Sequence, residues 1–146
     1  MSDTVTRSVV IDAKPEKVLA ALHDVPSYPT LQDDIEFAEV LESDDRQRPT
    51  RIHVVLSAFG LKIEQVLACE HTDLRMSWQL VDGGVITRND AEYVLTETGD
   101  GGTELTVHQA LVLKVKMPRS LTRRIINRNL DSTLKALKAT AENDRG

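Results

Sequence analysis

The chain has one cysteine in 146 residues, Cys69, so no internal disulfide can form. It also lacks any apolar run approaching the roughly 20 residues that cross a bilayer as a helix. The opening stretch, MSDTVTRSVV, has neither the long apolar core nor the small-residue cleavage site of a secretory leader. Together these absences predict a soluble protein in a reducing, cytoplasmic setting, with no transmembrane segment. Excess basic charge is missing too. Lys and Arg number 18 against 23 Asp and Glu, a net charge of -5, whereas a general nucleic-acid binder carries a strongly basic balance. No nucleic-acid partner is expected.

The signatures of common chemistries are missing as well. His23, His53, His71 and His108 share no metal-ligand spacing, and one cysteine cannot complete a zinc pattern. Ser, His and Asp all occur, but no G-x-S-x-G elbow holds a serine for attack. No G-x-x-x-x-G-K-[ST] is present, and the glycines of GDGGT, residues 99–103, fall at a hairpin instead of between a strand and a helix. No metal and no cofactor are expected.

What is present is a strand pattern of unusual persistence. Val5, Arg7, Val9 and Ile11 alternate with Thr6, Ser8, Val10 and Asp12, which predicts a first strand. Pro15 suits a first helical turn, where its missing N–H costs nothing, and Glu16 suits the positive end of that helix. Val18, Leu19 and Leu22 form its apolar stripe. Asp24 and Pro26 stop it, and Tyr28, Pro29 and Leu31 permit only a second short turn of helix. Six period-two runs follow: IEFAEVLES, TRIHVVLSAF, KIEQVLACEH, LRMSWQLV, VITRNDAEYVLTE and TELTVHQALVLKV, separated by DDRQRP, FG, TD, DGG and GDGG. Such short links predict an antiparallel meander, since parallel pairing would need helical crossovers. After Pro118, Ile126, Leu130, Leu134, Leu137 and Ala141 recur at spacings of three and four, so a long amphipathic helix covers one face of the sheet.

This order, β-αα-ββββββ-α over residues 1–146 as a single domain, resembles the START-like, helix-grip (SRPBCC) superfamily, and within it the polyketide cyclase/dehydrase and coenzyme Q-binding relatives. The residues that carry the resemblance are Ala13-x-Pro15-x-x-Val18 with Leu22 and Asp24, then Tyr28-Pro29, then Trp78-Gln79-Leu80 before Asp82-Gly83-Gly84, and finally Gly101-Gly102-Thr103-x-Leu105. The resemblance implies an α+β fold in which a curved antiparallel sheet grips the long C-terminal helix. The two short helices then form a notch that props the long helix away from the sheet and leaves a hollow. Family members often carry Trp two residues after the Tyr-Pro pair. Here that position is Leu31, a smaller side chain at the pocket floor.

Strand alternation assigns what would line the hollow, because successive side chains point to opposite faces. Leu74, Met76, Trp78 and Leu80 are taken as inward on their strand, with Ile52, Val54, Leu56 and Ala58, then Ile63, Gln65, Leu67 and Cys69, then Asn89, Ala91, Tyr93 and Leu95, and finally Leu105, Val107, Gln109 and Leu111. The lining is chiefly aliphatic. Gln65, Asn89, Tyr93 and Gln109 are its polar members, joined by Asn127 from the inward stripe of the long helix, which also carries Leu130. An apolar cavity with a few convergent polar groups is the general form of a small-molecule site. Gln65, Met76, Trp78, Asn89, Gln109, Asn127 and Leu130 are therefore the candidate ligand contacts. Buried amides also bond to one another or to trapped water, and Met76 and Trp78 suit plain core as well as a clamp.

Three functions follow. The first is a non-catalytic module that binds a hydrophobic small molecule of lipid, polyketide or isoprenoid type. The second, implied by the resemblance, is a cyclase or dehydrase with Tyr93 as proton donor and Arg88 in reach if a bulge turned it inward. The third rests on charge. No acid separates Glu104 from Asp131, while Lys114, Lys116, Arg119, Arg123, Arg124 and Arg128 form a basic cluster suited to an anionic surface or an acidic partner. Ligand identity, catalysis and oligomeric state stay open.

Overall fold

A computed structural model describes residues 4–58, 60–114 and 118–143. In chain order they form β1 (Thr4–Ile11), α1 (Pro15–His23), a 3-10 turn (Val25–Ser27), α2 (Tyr28–Leu31), β2 (Ile35–Ser43), β3 (Pro49–Ala58), β4 (Leu61–Thr72), β5 (Arg75–Asp82), β6 (Ile86–Glu97), β7 (Thr103–Leu113) and α3 (Arg119–Asn143). The strands make one antiparallel sheet in the order β1-β7-β6-β5-β4-β3-β2. This is the helix-grip α+β architecture expected from the sequence. The runs also extend close to their expected limits, although β7 ends at Leu113 and Val115 lies outside the described residues.

The angled helices follow from their local chemistry. Pro15 occupies the first turn of α1, and Pro15, Val18 and Leu22 are its buried side chains. Pro26 then enforces a break. The last carbonyls of a helix have no partner within it, and here the Tyr28 hydroxyl of α2 donates to the carbonyl of Leu22. That bond ties the two short helices at a fixed angle. The hairpin glycines serve the fold in the same way. A Cβ on Gly102 would sit 3.0 Å from the Ile11 carbonyl oxygen, and beside it the buried Thr103 hydroxyl donates to the Ala13 carbonyl at 2.7 Å. The Gly101-Gly102-Thr103 motif therefore locks β7 against the start of the chain.

Helix α3 has 25 residues and so spans about 37 Å at 1.5 Å per residue. One flank is fastened along β1: Arg7 pairs with Asp131 at 3.2 Å, Lys138 donates to the Val10 carbonyl at 2.9 Å, and Glu142 accepts from the Asp12 backbone N–H at 2.8 Å. The other flank reaches the segment between α2 and β2. There Asn129 donates to Asp34 at 3.0 Å and Thr133 donates to Gln32 at 3.1 Å. Ile126, Leu130, Leu134, Leu137 and Ala141 are all buried, as the spacing predicts. Among the described residues, no helix is long and apolar enough to cross a membrane.

Two corrections to the strand register matter for the site. Leu74 lies in the β4–β5 turn before β5 begins, and it is 41% exposed instead of inward. A register shift between Ile86 and Arg88 puts both Ile86 and Asn89 on the buried side. Arg88 is not turned inward by this bulge. It stays on the exposed side, paired with Asp90 at 2.7 Å.

Candidate functional site

The helix does not seal the sheet. A cavity of about 110 Å³ lies between them, walled by aliphatic residues of β3, β4, α2 and α3 that include Val54, Leu67, Leu31, Ile126, Leu130 and Leu137. A smaller void of about 50 Å³ adjoins it toward Ile86 and Leu113. The two share Gln32, Leu56, Leu111, Ile126 and Asn129 as a common wall.

On the sheet side, one polar cluster interrupts the aliphatic lining. Asn89 is its hub: it donates from Nδ2 to Gln65 Oε1 at 2.9 Å, and its Oδ1 accepts from Trp78 Nε1 and from Gln109 Nε2, both at 3.2 Å. The indole N–H can only donate, so the atom of Asn89 facing it must be the oxygen. That choice propagates. The other end of Asn89 is then the amide nitrogen, it must meet the Gln65 oxygen, and Gln109 must present its nitrogen. The four side chains come from β4, β5, β6 and β7, brought together by the antiparallel order.

Tyr93 packs beside this cluster with its ring 5.2 Å from Trp78, and it lines the cavity. Burial pushes its phenol far above the usual range. Its hydroxyl has no hydrogen-bond partner among the described residues. Tyr28 also lines the cavity and is also raised by burial, but its hydroxyl is engaged with the Leu22 carbonyl.

Of the residues expected at the site, Gln65, Trp78, Asn89, Tyr93, Gln109 and Leu130 line the cavity together. Met76 does not: it is fully buried in the core below the cavity wall, paired across strands with Tyr93 and His71. Asn127 does not either. It shares the flank of α3 with Asp131, one turn on, which faces Arg7 of β1, and its buried Oδ1 has no partner among the described residues. The cavity row of α3 is Ile126, Asn129, Leu130, Thr133 and Leu137. Gln32, Asn129 and Thr133 are lining residues that the sequence reading missed. Thr133 continues the helical spacing Ile126, Leu130, Thr133, Leu137 as a polar residue in an apolar row.

The histidines lie elsewhere. His53 bridges Glu39 at 3.0 Å and Glu64 at 3.2 Å on the outer face, where those carboxylates raise its pKa. His108 bonds Thr6 at 2.9 Å. His23 and His71 meet near the loop between β2 and β3 with ring centroids 4.8 Å apart. Among the described residues, no group of three His, Cys, Asp or Glu is placed to hold a metal. In the basic cluster, Lys114, Arg123, Arg124 and Arg128 are exposed and make no ion pair among the described residues, beside exposed Leu121. Lys116 and the Arg119 side chain lie outside the described residues.

A curved sheet gripping one long helix over a lined hollow defines the START-like class. A family model described as polyketide cyclase / dehydrase and lipid transport matches residues 2–142, and the chain belongs to that family. Solved structures agree on the fold. A START superfamily protein from Mycobacterium smegmatis is 19% identical with a TM-score of 0.85, covering 96% of this chain and 97% of its own. A protein of Thermus thermophilus is 22% identical with a TM-score of 0.80, covering 98% and 99%. The Zhui aromatase/cyclase from Streptomyces sp. R1128 is 16% identical with a TM-score of 0.78, covering 95% and 93%. No curated protein matches the chain by sequence.

Proposed function

We propose that this protein binds a hydrophobic small molecule of lipid, polyketide or isoprenoid type in the cavity between the sheet and α3. The observation that carries this reading is the aliphatic cavity with one polar cluster on its sheet wall and the polar residues Gln32, Asn129 and Thr133 on the side of α3. Gln65, Trp78, Asn89, Gln109 and Leu130 are the contacts proposed. A cytoplasmic location belongs to the same reading, since the one cysteine is buried and free and no disulfide supports the fold. Binding without turnover is favoured over cyclase chemistry. Tyr93 is the one candidate acid with an unengaged hydroxyl at the cavity, burial moves it away from neutrality, and general acid–base work needs a group near working pH. Protein purified from its native host and extracted for mass spectrometry should release one apolar compound in near-stoichiometric amount. An extract with no such compound, together with no uptake from a lipid and polyketide library, would refute the reading.

A second reading, docking to an anionic surface or acidic partner, is favoured by the exposed Arg123, Arg124 and Arg128 around Leu121 on the first turns of α3. Thr122 and Ile126, on the same turns, line the smaller void, so a docked surface would lie next to the ligand. Reversing Arg123 and Arg124 to Glu should abolish co-sedimentation with phosphatidylserine vesicles. Retained binding counts against it.

A further inference from the structure

The charge character of the cavity narrows the ligand further. Among the described residues, none of the side chains lining the main cavity is an Asp, Glu, Lys, Arg or His. Its titratable members are Tyr28 and Tyr93, and burial raises both, so the lining is neutral at physiological pH. A carboxylate or ammonium entering it would lose its hydration with no opposite charge to meet, which is among the costliest events in a protein interior. At the adjoining void stands the carboxylate Asp34, which accepts from Asn129 and lies beyond the wall of Leu56, Leu111 and Ile126.

The hydrogen-bond inventory then says what polar group fits. Asn89 spends its carbonyl twice and its amide once inside the cluster. Because the Trp78 indole fixes the orientation of the chain of amides, Gln65 is left with its Nε2 and Gln109 with its Oε1 as the ends that have no partner among the described residues. The Tyr93 hydroxyl is a third unengaged group on the sheet wall, whereas on the side of α3 Asn129 is engaged with Asp34 and Thr133 with Gln32. Two of these three can donate, and buried donors are seldom left unmade. A ketone or hydroxyl oxygen would meet them. Size sets a second limit: about 110 Å³ for the main cavity and about 50 Å³ for the adjoining void is the scale of a single ring, since an apolar cavity of roughly 150 Å³ holds benzene.

Resting on the reading of this cavity as a ligand site, we infer that the ligand is uncharged and carries a ketone or hydroxyl oxygen. That oxygen accepts from Gln65 Nε2 and the Tyr93 hydroxyl, and a single ring or comparable hydrocarbon unit occupies the aliphatic part.

Four probes on one skeleton test this at pH 7: acetophenone, ethylbenzene, benzoate and benzylamine, titrated while the side-chain amide and indole N–H resonances are followed by NMR. Acetophenone should bind at least about tenfold more tightly than benzoate or benzylamine, given the cost of burying an unpaired charge. It should shift the Gln65 amide and Trp78 indole signals, and ethylbenzene should bind with weaker effects on both. Tyr93→Phe removes a hydroxyl that bonds nothing among the described residues, so it should cut the preference for acetophenone over ethylbenzene by about fivefold, the worth of one hydrogen bond. Gln65→Leu should do the same. Benzoate or benzylamine binding as tightly as acetophenone would overturn the inference and leave the ligand cavity standing, as would an unchanged preference in both variants. If none of the four probes moves a cavity resonance, the reading of the cavity as a ligand site fails, and this inference fails with it.

Discussion

Asn129 of α3 holds the carboxylate of Asp34 at 3.0 Å across the rim of the cavity. One turn later Thr133 repeats the contact with Gln32 at 3.1 Å, so two rungs clasp the helix to the segment after α2. Thr133→Val keeps the shape and deletes one rung. It should lower stability by about 1 kcal/mol, the net worth of a hydrogen bond. Hydrogen exchange along the first half of α3 should accelerate, and so should ligand release measured by stopped flow. Unchanged release with a lowered melting temperature would show that the cavity opens somewhere else.

Acid sensitivity should come from His23. Burial, then His71, then Arg48 lower its pKa from 6.5 to about 4, against a smaller opposing pull from Asp44. The unfolded chain takes up that proton first, so stability is full above pH 6.5 and falls as pH drops from 6.5 toward 4. His53 acts with the opposite sign: its pKa is raised by Glu39 and Glu64, and it adds stability below 6.5 that is lost as pH rises through its folded value. His23→Phe keeps a ring against His71 and removes the titration. Its melting temperature should decline less between pH 6.5 and 4 than that of the wild type. Parallel curves would assign the acid loss to another group.

Leu31 is buried and lines the cavity floor. Leu31→Trp should fill the space a ligand needs while leaving the surrounding sheet intact. Overpacking typically costs about 1–3 kcal/mol, so the variant should remain folded but lose affinity for any cavity ligand by more than about tenfold. Isothermal titration with acetophenone checks this, and equal affinity in the variant would place the ligand elsewhere.

Asn89 joins three partners at once. Asn89→Leu matches it roughly in size and leaves the Trp78, Gln65 and Gln109 groups unmade, which at about 1 kcal/mol each predicts a loss of roughly 2–4 kcal/mol in urea unfolding. A loss below about 1 kcal/mol would mean that the cluster exchanges its bonds for water and contributes little to the fold.

The sheet was legible because period-two patterning fixes a face for each residue. Gln65, Asn89, Tyr93 and Gln109 were assigned inward from alternation, and they share one cavity in the structure. The bulge between Ile86 and Arg88 left those assignments intact because it falls before Asn89. The helix was less legible. Its apolar stripe is broad enough to serve two neighbours, β1 on one flank and the cavity on the other, and periodicity does not say which flank meets which. Asn127 was misassigned for that reason, and Asn129 and Thr133 were missed. The clasp to Gln32 and Asp34 joins positions about 100 residues apart, and no local pattern reports such a pairing.

The place of β1 in the sheet has a consequence for synthesis. Among the described residues it pairs with β7 alone, and Ser8 meets Thr106 across 98 positions of chain. At roughly 5–20 residues per second, a ribosome needs on the order of 5–20 s to supply that partner. During that interval the valines of the first strand have no sheet to join, and the nascent chain depends on whatever shields them. The helix that roofs the hollow emerges later still, so a ligand present during translation would find the open sheet before it found a finished pocket.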